Sequence, residues 1–184
     1  RFTARITDAA GNVRQTNDIA VTIDSSAPNA TLIAPIDGEL SAGASGQLVL
    51  QFSEEVTGVG SVKIMRLTDN GTALTLNAAQ AVISGSGLQT QAVLYYSALQ
   101  GATPYYVLID EGAFFDAAGN AYAGQKVAGL GGWDFRTADP SLSIDTVAGD
   151  NRINALENGQ ILDLSGTITG SSAPIISGSV SYTH

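Results

Sequence analysis

The sequence predicts an all-β chain: a β-sandwich module flanked by partial β-sandwich modules. Three observations carry this. Asp8-Ala-Ala-Gly-Asn12 recurs unchanged as Asp116-Ala-Ala-Gly-Asn120, and a repeat after about a hundred residues is the period of tandem modules of ordinary domain size. Short runs alternate apolar and polar residues, the period of a half-buried strand. Gly, Asn and Asp clusters punctuate those runs at turn spacing.

Residues 1–26 read as the C-terminal strands of a preceding module. Phe2, Ala4 and Ile6 alternate with Thr3, Arg5 and Thr7, and Ile19, Val21 and Ile23 alternate with Ala20 and Thr22. Between these strands the pentapeptide supplies Gly11 and Asn12, residues that tolerate positive φ. A linker, Asp24-Ser-Ser-Ala-Pro28, leads into residues 27–139, read as the complete module. Its strand candidates are 30–33, 47–52, 61–67, 73–76, 81–84, 91–95, 105–109 and 133–136. Leu48, Leu50 and Phe52 form one core face, and Val62, Ile64, Tyr105, Val107, Ile109, Trp133 and Phe135 the other. Helical turns are expected at Ser97 to Gln100 and at Glu111 to Phe115, with Ala113, Phe114 and Phe115 capping the sandwich. After Asp139-Pro140 the pattern restarts, so residues 140–184 read as N-terminal strands of a following module, with strands at Leu142 to Asp145, Ile161 to Ile168 and Ile175 to Tyr182. The leading piece supplies closing strands and the trailing piece opening strands, an arithmetic that invites head-to-tail self-association of two chains.

Composition narrows the chemistry. Acids outnumber bases 17 to 8, a formal charge of -9, which repels phosphate backbones and argues against nucleic acid or an anionic membrane as partner. No apolar run reaches the roughly 20 residues of a membrane span, so no membrane insertion is expected. No cysteine is present, which excludes disulfides and thiolate metal sites; rigidity must come from elsewhere, and calcium is one means.

Several strings carry a family resemblance. Ala4-Arg-Ile-Thr-Asp-Ala-Ala-Gly-Asn12, Val21-Thr-Ile-Asp-Ser-Ser-Ala-Pro28 and Asp150-Asn-Arg-Ile-Asn-Ala-Leu-Glu157 resemble the bacterial immunoglobulin-like repeats of large RTX-type surface adhesins. The central strings Leu50-Gln-Phe-Ser-Glu-Glu-Val56, Tyr105-Tyr-Val-Leu-Ile-Asp110, Ala113-Phe-Phe-Asp-Ala-Ala-Gly-Asn120 and Trp133-Asp-Phe-Arg-Thr137 resemble a related module of the same proteins. The resemblance implies an immunoglobulin-like fold and an extracellular place on the bacterial cell surface. It also implies a spacer role in cell adhesion or biofilm formation, adjacent modules as partners, and calcium stiffening the linkers. The nonapeptide calcium-roll motif of RTX proteins is absent.

The metal-ligand candidates follow. Asp145, Asp150, Asn151, Asn154 and Glu157 offer hard oxygens in one short loop, as calcium requires, although the spacing is not that of an EF-hand; the alternative is a polar loop bonded to itself. Asp24 and Asp139 close strands beside linkers, where a cation would bridge modules and a turn would equally use them. Asp8 with Asn12 and Asp116 with Asn120 are weaker metal candidates, since their spacing fits a turn completely. Catalysis is not expected. Adjacent carboxylates such as Glu54-Glu55 and Asp110-Glu111 point to opposite faces of a strand, and the sole histidine is the terminal His184. Tyr95, Tyr96, Tyr105, Tyr106 and Tyr122 read as core, with Tyr106 partly exposed, or else as a sugar platform, which keeps a carbohydrate- or peptide-binding module as the alternative function.

Overall fold

The computed structural model describes residues 2–18, 20, 22–146, 152 and 166–169. A hairpin of β1 (Arg5–Thr7) and β2 (Val13–Gln15) comes first. The sandwich then runs through β3 (Ala30–Ala34), β4 (Glu39–Ala42), β5 (Gly46–Phe52), β6 (Val56–Gly58), β7 (Ser61–Arg66), β8 (Thr72–Asn77), β9 (Val82–Ser84), β10 (Thr90–Tyr96), β11 (Pro104–Ile109), β12 (Phe114–Asp116) and β13 (Trp133–Thr137). Beyond it β14 (Ser141–Ile144) pairs with β15 (Gly166–Thr169). The fold is an all-β immunoglobulin-like sandwich with flanking sheet elements.

Two sheets face each other, one ordered β3-β5-β10-β9 and the other β4-β13-β11-β7-β8, with the ribbon β12-β6 closing one end. Alternation puts Leu48, Leu50 and Phe52 of β5 against Val62 and Ile64 of β7, Tyr105, Val107 and Ile109 of β11 and Phe135 of β13, all buried. Rings lock the two ends of this core. Phe52 lies 4.8 Å from Phe114 and 5.6 Å from Tyr122 at one end, and Phe135 lies 5.6 Å from Tyr105 and 6.2 Å from Tyr96 at the other. Each such side chain contributes about 1.5–3 kcal/mol by leaving water.

One core group works against the fold. Thr90 pairs with Phe52 across β10 and β5 and is fully buried, yet its Oγ1 meets no hydrogen-bond partner. A buried hydroxyl without a partner is destabilising. Thr90→Val is therefore expected to raise the stability of the sandwich by about 1 kcal/mol, read as a higher urea midpoint at unchanged slope; a lower midpoint would refute it.

The chain enters and leaves the sandwich at opposite poles. β3 begins beside the end of β5, with Ala30 facing Phe52, and Asn29 is tied to Ser53 by Ser53 N donating to Asn29 O at 2.9 Å and Asn29 N donating to Ser53 Oγ at 3.0 Å. The end of β11 and the β12-β6 ribbon lie at the same pole, where Phe52 touches Phe114. Because β13 is antiparallel to β11, it runs away from that pole. It ends at a bonded knot: Thr137 Oγ1 accepts from Thr103 N at 3.1 Å and donates to Gln100 O at 2.6 Å, and Ala138 N donates to Ala42 O at 2.8 Å. Thr137 is fully buried, so Thr137→Val strands both partners. The expected loss is about 2 kcal/mol in chemical denaturation, and a loss near zero would show that the exit knot carries no stability.

Several sequence expectations are corrected. Ala20, Thr22 and Ile23 are not in a strand; pairing starts directly after the pentapeptide, with Thr7 facing Val13. This hairpin is exposed, Ile6 included, as a two-stranded ribbon with no sheet beneath it must be. Ser97 to Gln100 forms no helical turn. Ala98 lies in the left-handed region at φ 61°, and the backbone bonds go to the β4–β5 loop, with Leu99 N donating to Ala44 O at 2.9 Å. Glu111 to Phe115 is likewise not helical: Gly112, at φ 70°, turns the chain into β12. Its capping role holds for Ala113 and Phe114, both buried, whereas Phe115 is half-buried. Strand β4, which lacks alternation, pairs in parallel with β13 and was not expected. Of the strands expected in the trailing segment, 161–165 and 175–182 lie outside the described residues.

Candidate metal centre

The repeated pentapeptide is a self-contained turn. In the second copy Asp116 Oδ1 accepts from Asn120 N at 2.8 Å, Asp116 Oδ2 accepts from Asn120 Nδ2 at 2.8 Å, and Gly119 N donates to Asp116 O at 3.3 Å. The first copy repeats this: Asp8 Oδ1 accepts from Asn12 N at 2.8 Å, Asp8 Oδ2 accepts from Asn12 Nδ2 at 2.8 Å, and Gly11 N donates to Asp8 O at 3.0 Å. Glycine is required at the fourth position, where φ is 82° in Gly11 and 90° in Gly119. The asparagine side chain holds each aspartate below the usual carboxylate range, Asn12 for Asp8 and Asn120 for Asp116, partly opposed at Asp116 by burial.

Only the second copy gathers further acids among the described residues. β12 pairs with β6 so that Asp116 stands opposite Val56, which brings Glu54, two residues earlier, alongside. The entry linker crosses the same spot, and one ligand oxygen each from Asp24, Glu54 and Asp116 lies within 4.8 Å of the others. Asp24 is exposed, Glu54 half-buried and Asp116 buried. Asn120 fastens the linker to the turn by donating from Nδ2 to Asp24 O at 3.3 Å as well as to Asp116. Asp24 Oδ1 accepts from Ser26 N at 3.0 Å, shaping the linker itself.

Burial, and then the charges of Asp116 and Asp24, push the Glu54 carboxyl above its ordinary range. The ion pairs Lys63–Asp110, Arg66–Asp69, Lys126–Glu111 and Arg136–Asp139 supply no cation to the three acids. Hard carboxylate oxygens in mutual repulsion are the donor set of a divalent cation. The cluster can therefore coordinate a metal ion.

Of the residues singled out in the sequence, Asp24 is in this cluster. Asp139 is not: it is exposed at the exit pole and bonded by Arg136 Nη2 at 2.6 Å. Asp145 is exposed just after β14. Asp150, Asn151, Asn154 and Glu157 lie outside the described residues, so the expected loop site has no described geometry. Glu54 was weighed only for catalysis and Asp116 chiefly as a turn residue. Nothing local marks their meeting, which depends on pairing between distant strands. Asp110 and Glu111 are held by Lys63 at 2.8 Å and Lys126 at 2.6 Å. Among the described residues the tyrosines form no platform: Tyr96, Tyr105, Tyr106 and Tyr122 are buried and Tyr95 is exposed. Tyr106 thus departs from its expected partial exposure, because the β7–β8 loop covers it and Asn70 Oδ1 accepts from its hydroxyl at 3.2 Å.

No curated protein and no solved structure matches the chain significantly. A family model described as a bacterial Ig-like domain matches residues 24–137, from the linker aspartate of the acidic cluster to the last residue of β13, and the chain belongs to that family.

Proposed function

We propose that this chain is a length of spacer from a bacterial surface adhesin of the RTX type, placed outside the cell, where it projects a distal binding region for adhesion or biofilm formation. Bacterial Ig-like domains are structural and adhesive modules, not catalytic ones. The observation that carries the spacer reading is the placement of entry and exit at opposite poles, Ala30 beside Phe52 and Ala138 beside Ala42. A module with that geometry adds its full length to a string of neighbours; one whose termini met at a single pole would add a side branch. Residues 1–26 and 140–184 are then parts of the neighbouring modules. No helix among the described residues is long and apolar enough to cross a membrane.

Calcium is the finer part of the proposal. Bound by Asp24, Glu54 and Asp116, it would join the linker to the module it enters. Each linker residue that is frozen gives up about 1–2 kcal/mol of conformational freedom, which the ion's attraction for three carboxylates offsets. Asp139, Asp145, Asp150, Asn151, Asn154 and Glu157 are the proposed oxygens at the next joint. Limited proteolysis tests the reading. Cleavage between Ser25 and Pro28 should slow in calcium relative to chelator, and equal rates would remove calcium stiffening from the account.

A further inference from the structure

The charges of this acidic chain are distributed unequally between its two sheets. The five-stranded sheet carries Glu39, Lys63, Arg66, Asp134 and Arg136, whereas β3, β5, β9 and β10 contain no Asp, Glu, Lys or Arg. The outer face of that four-stranded sheet is also apolar in its middle. Val82, Val93 and Val49 stand in register across β9, β10 and β5, and Ile33 at the β3 bulge extends the row. Tyr95 stands beside it, opposite Gln47. Val82 is 54% exposed, Tyr95 64% and Ile33 40%, whereas Val93 is half-buried and Val49 buried, so solvent reaches the two ends of the row and Tyr95 beside it.

We propose that this face is a side-by-side contact with a second copy of the chain. A body of charge -9 repels its own copies wherever acids are displayed, and two uncharged faces are where that repulsion is least. Shared Gln and Thr groups at the rim can bond across such a contact without any charge being buried. The face is small. Four strands about 4.8 Å apart and up to seven residues long at about 3.3 Å each give roughly 400 Å², about half of the 800 Å² per partner in a standard interface. One pair of modules therefore associates weakly, with a Kd on the order of 0.1–1 mM. In an array the same contact repeats along two parallel strings, and linkage multiplies it. That last step rests on the spacer reading; the pairwise contact does not.

Sedimentation and amide NMR spectra of the whole 184-residue chain, from about 10 μM to about 1 mM, test the contact separately from the spacer geometry. The expected result is concentration-dependent association that shifts the amides of β9 and β10 and holds or strengthens with added salt, since salt screens the overall repulsion. Tyr95→Glu and Val82→Glu each place like charges opposite one another and should weaken it at least about tenfold. Thr75→Glu, exposed on β8 of the charged sheet, should leave it unchanged. A monomer at every concentration overturns the proposal, as does association that salt abolishes or that Thr75→Glu removes equally. A neutral oligosaccharide that shifts Tyr95 where dilution does not would reassign the face to a glycan and likewise overturn it.

Discussion

Calcium is expected to raise the thermal midpoint of the sandwich, and Glu54→Gln to remove that rise while leaving the calcium-free protein as stable as wild type or more so. The reasoning starts from electrostatics. Glu54 is held among Asp24 and Asp116, and its carboxyl is displaced upward first by burial and then by those two charges. Its ionised form is thus a burden in the absence of a cation and an asset in its presence. An ion that binds only the folded state stabilises by mass action, about 2.7 kcal/mol at a hundredfold excess over its Kd. For a domain of this size that is a rise of about 10 °C. Glutamine keeps the shape of the side chain but loses the charge, so it relieves the repulsion and weakens the site together. Calorimetry of both proteins in calcium and in chelator reads the crossing directly. A wild-type midpoint that ignores millimolar calcium, or a Glu54→Gln protein less stable than wild type in chelator, would contradict the assignment.

The same groups fix the pH dependence. A carboxyl raised in the folded state favours folding below its ordinary value of 4.5, and that contribution disappears as pH rises through the raised value. Asp116 and Asp8 behave oppositely. Held low by Asn120 and Asn12, they contribute stability above their ordinary value of 3.8, lost as pH falls through the lowered one. Calcium held by the three cluster acids would need all of them ionised. The calcium-dependent rise should therefore be full near neutrality and fade as pH falls through the Glu54 range, before the aspartate turns lose their own hydrogen bonds. Calcium gain persisting unchanged well below that range would show that Glu54 is not a ligand.

What the sequence made legible was local. The pentapeptide turn follows from its own residues, with Asp accepting, Gly at positive φ and Asn closing the ring, and it forms the same bonds at both positions. The core faces of β5, β7 and β11 follow from alternation and were read correctly residue by residue. What was hidden depends on partners distant in the chain. Strand β4 is a strand because β13 lies beside it; Glu39-Leu-Ser-Ala42 carries no periodic pattern, and Leu40 is exposed. The Ile19 to Ile23 run alternates as a strand should, yet its described residues Ala20, Thr22 and Ile23 are not in a strand, and Val13–Gln15 pairs in the hairpin. The acidic cluster is the extreme case. Asp24, Glu54 and Asp116 come from the linker, the β5–β6 turn and the pentapeptide; the β6–β12 pairing brings Glu54 to Asp116, and the Asn120 bond to Asp24 O brings in the linker.

Gly58→Ala is expected to be among the most damaging single changes in the sandwich, costing about 3 kcal/mol, and to reduce the calcium response with it. Gly58 is the last residue of β6, opposite Phe114 of β12. Its lack of a side chain is used for close approach. A Cβ there would collide with Ala78 O and stand 2.6 Å from Ala78 C. That carbonyl cannot readily withdraw, because Ala78 N donates to Gly60 O at 2.8 Å and Ala81 N donates to Ala78 O at 3.1 Å. The added methyl must push β6 away from the 3-10 turn Ala78–Gln80, and β6 is the strand that sets Glu54 beside Asp116. Gly11→Ala gives the contrast. It too replaces a glycine, at φ 82° with nothing near its Cβ position, so it strains only the exposed β1-β2 hairpin, by about 1 kcal/mol, and leaves the sandwich transition and its calcium shift in place. If Gly58→Ala melts with wild-type midpoint and retains the full calcium rise, the contact between β6 and the Ala78 turn does not hold the acidic cluster together, and some other element must align Glu54 with Asp116.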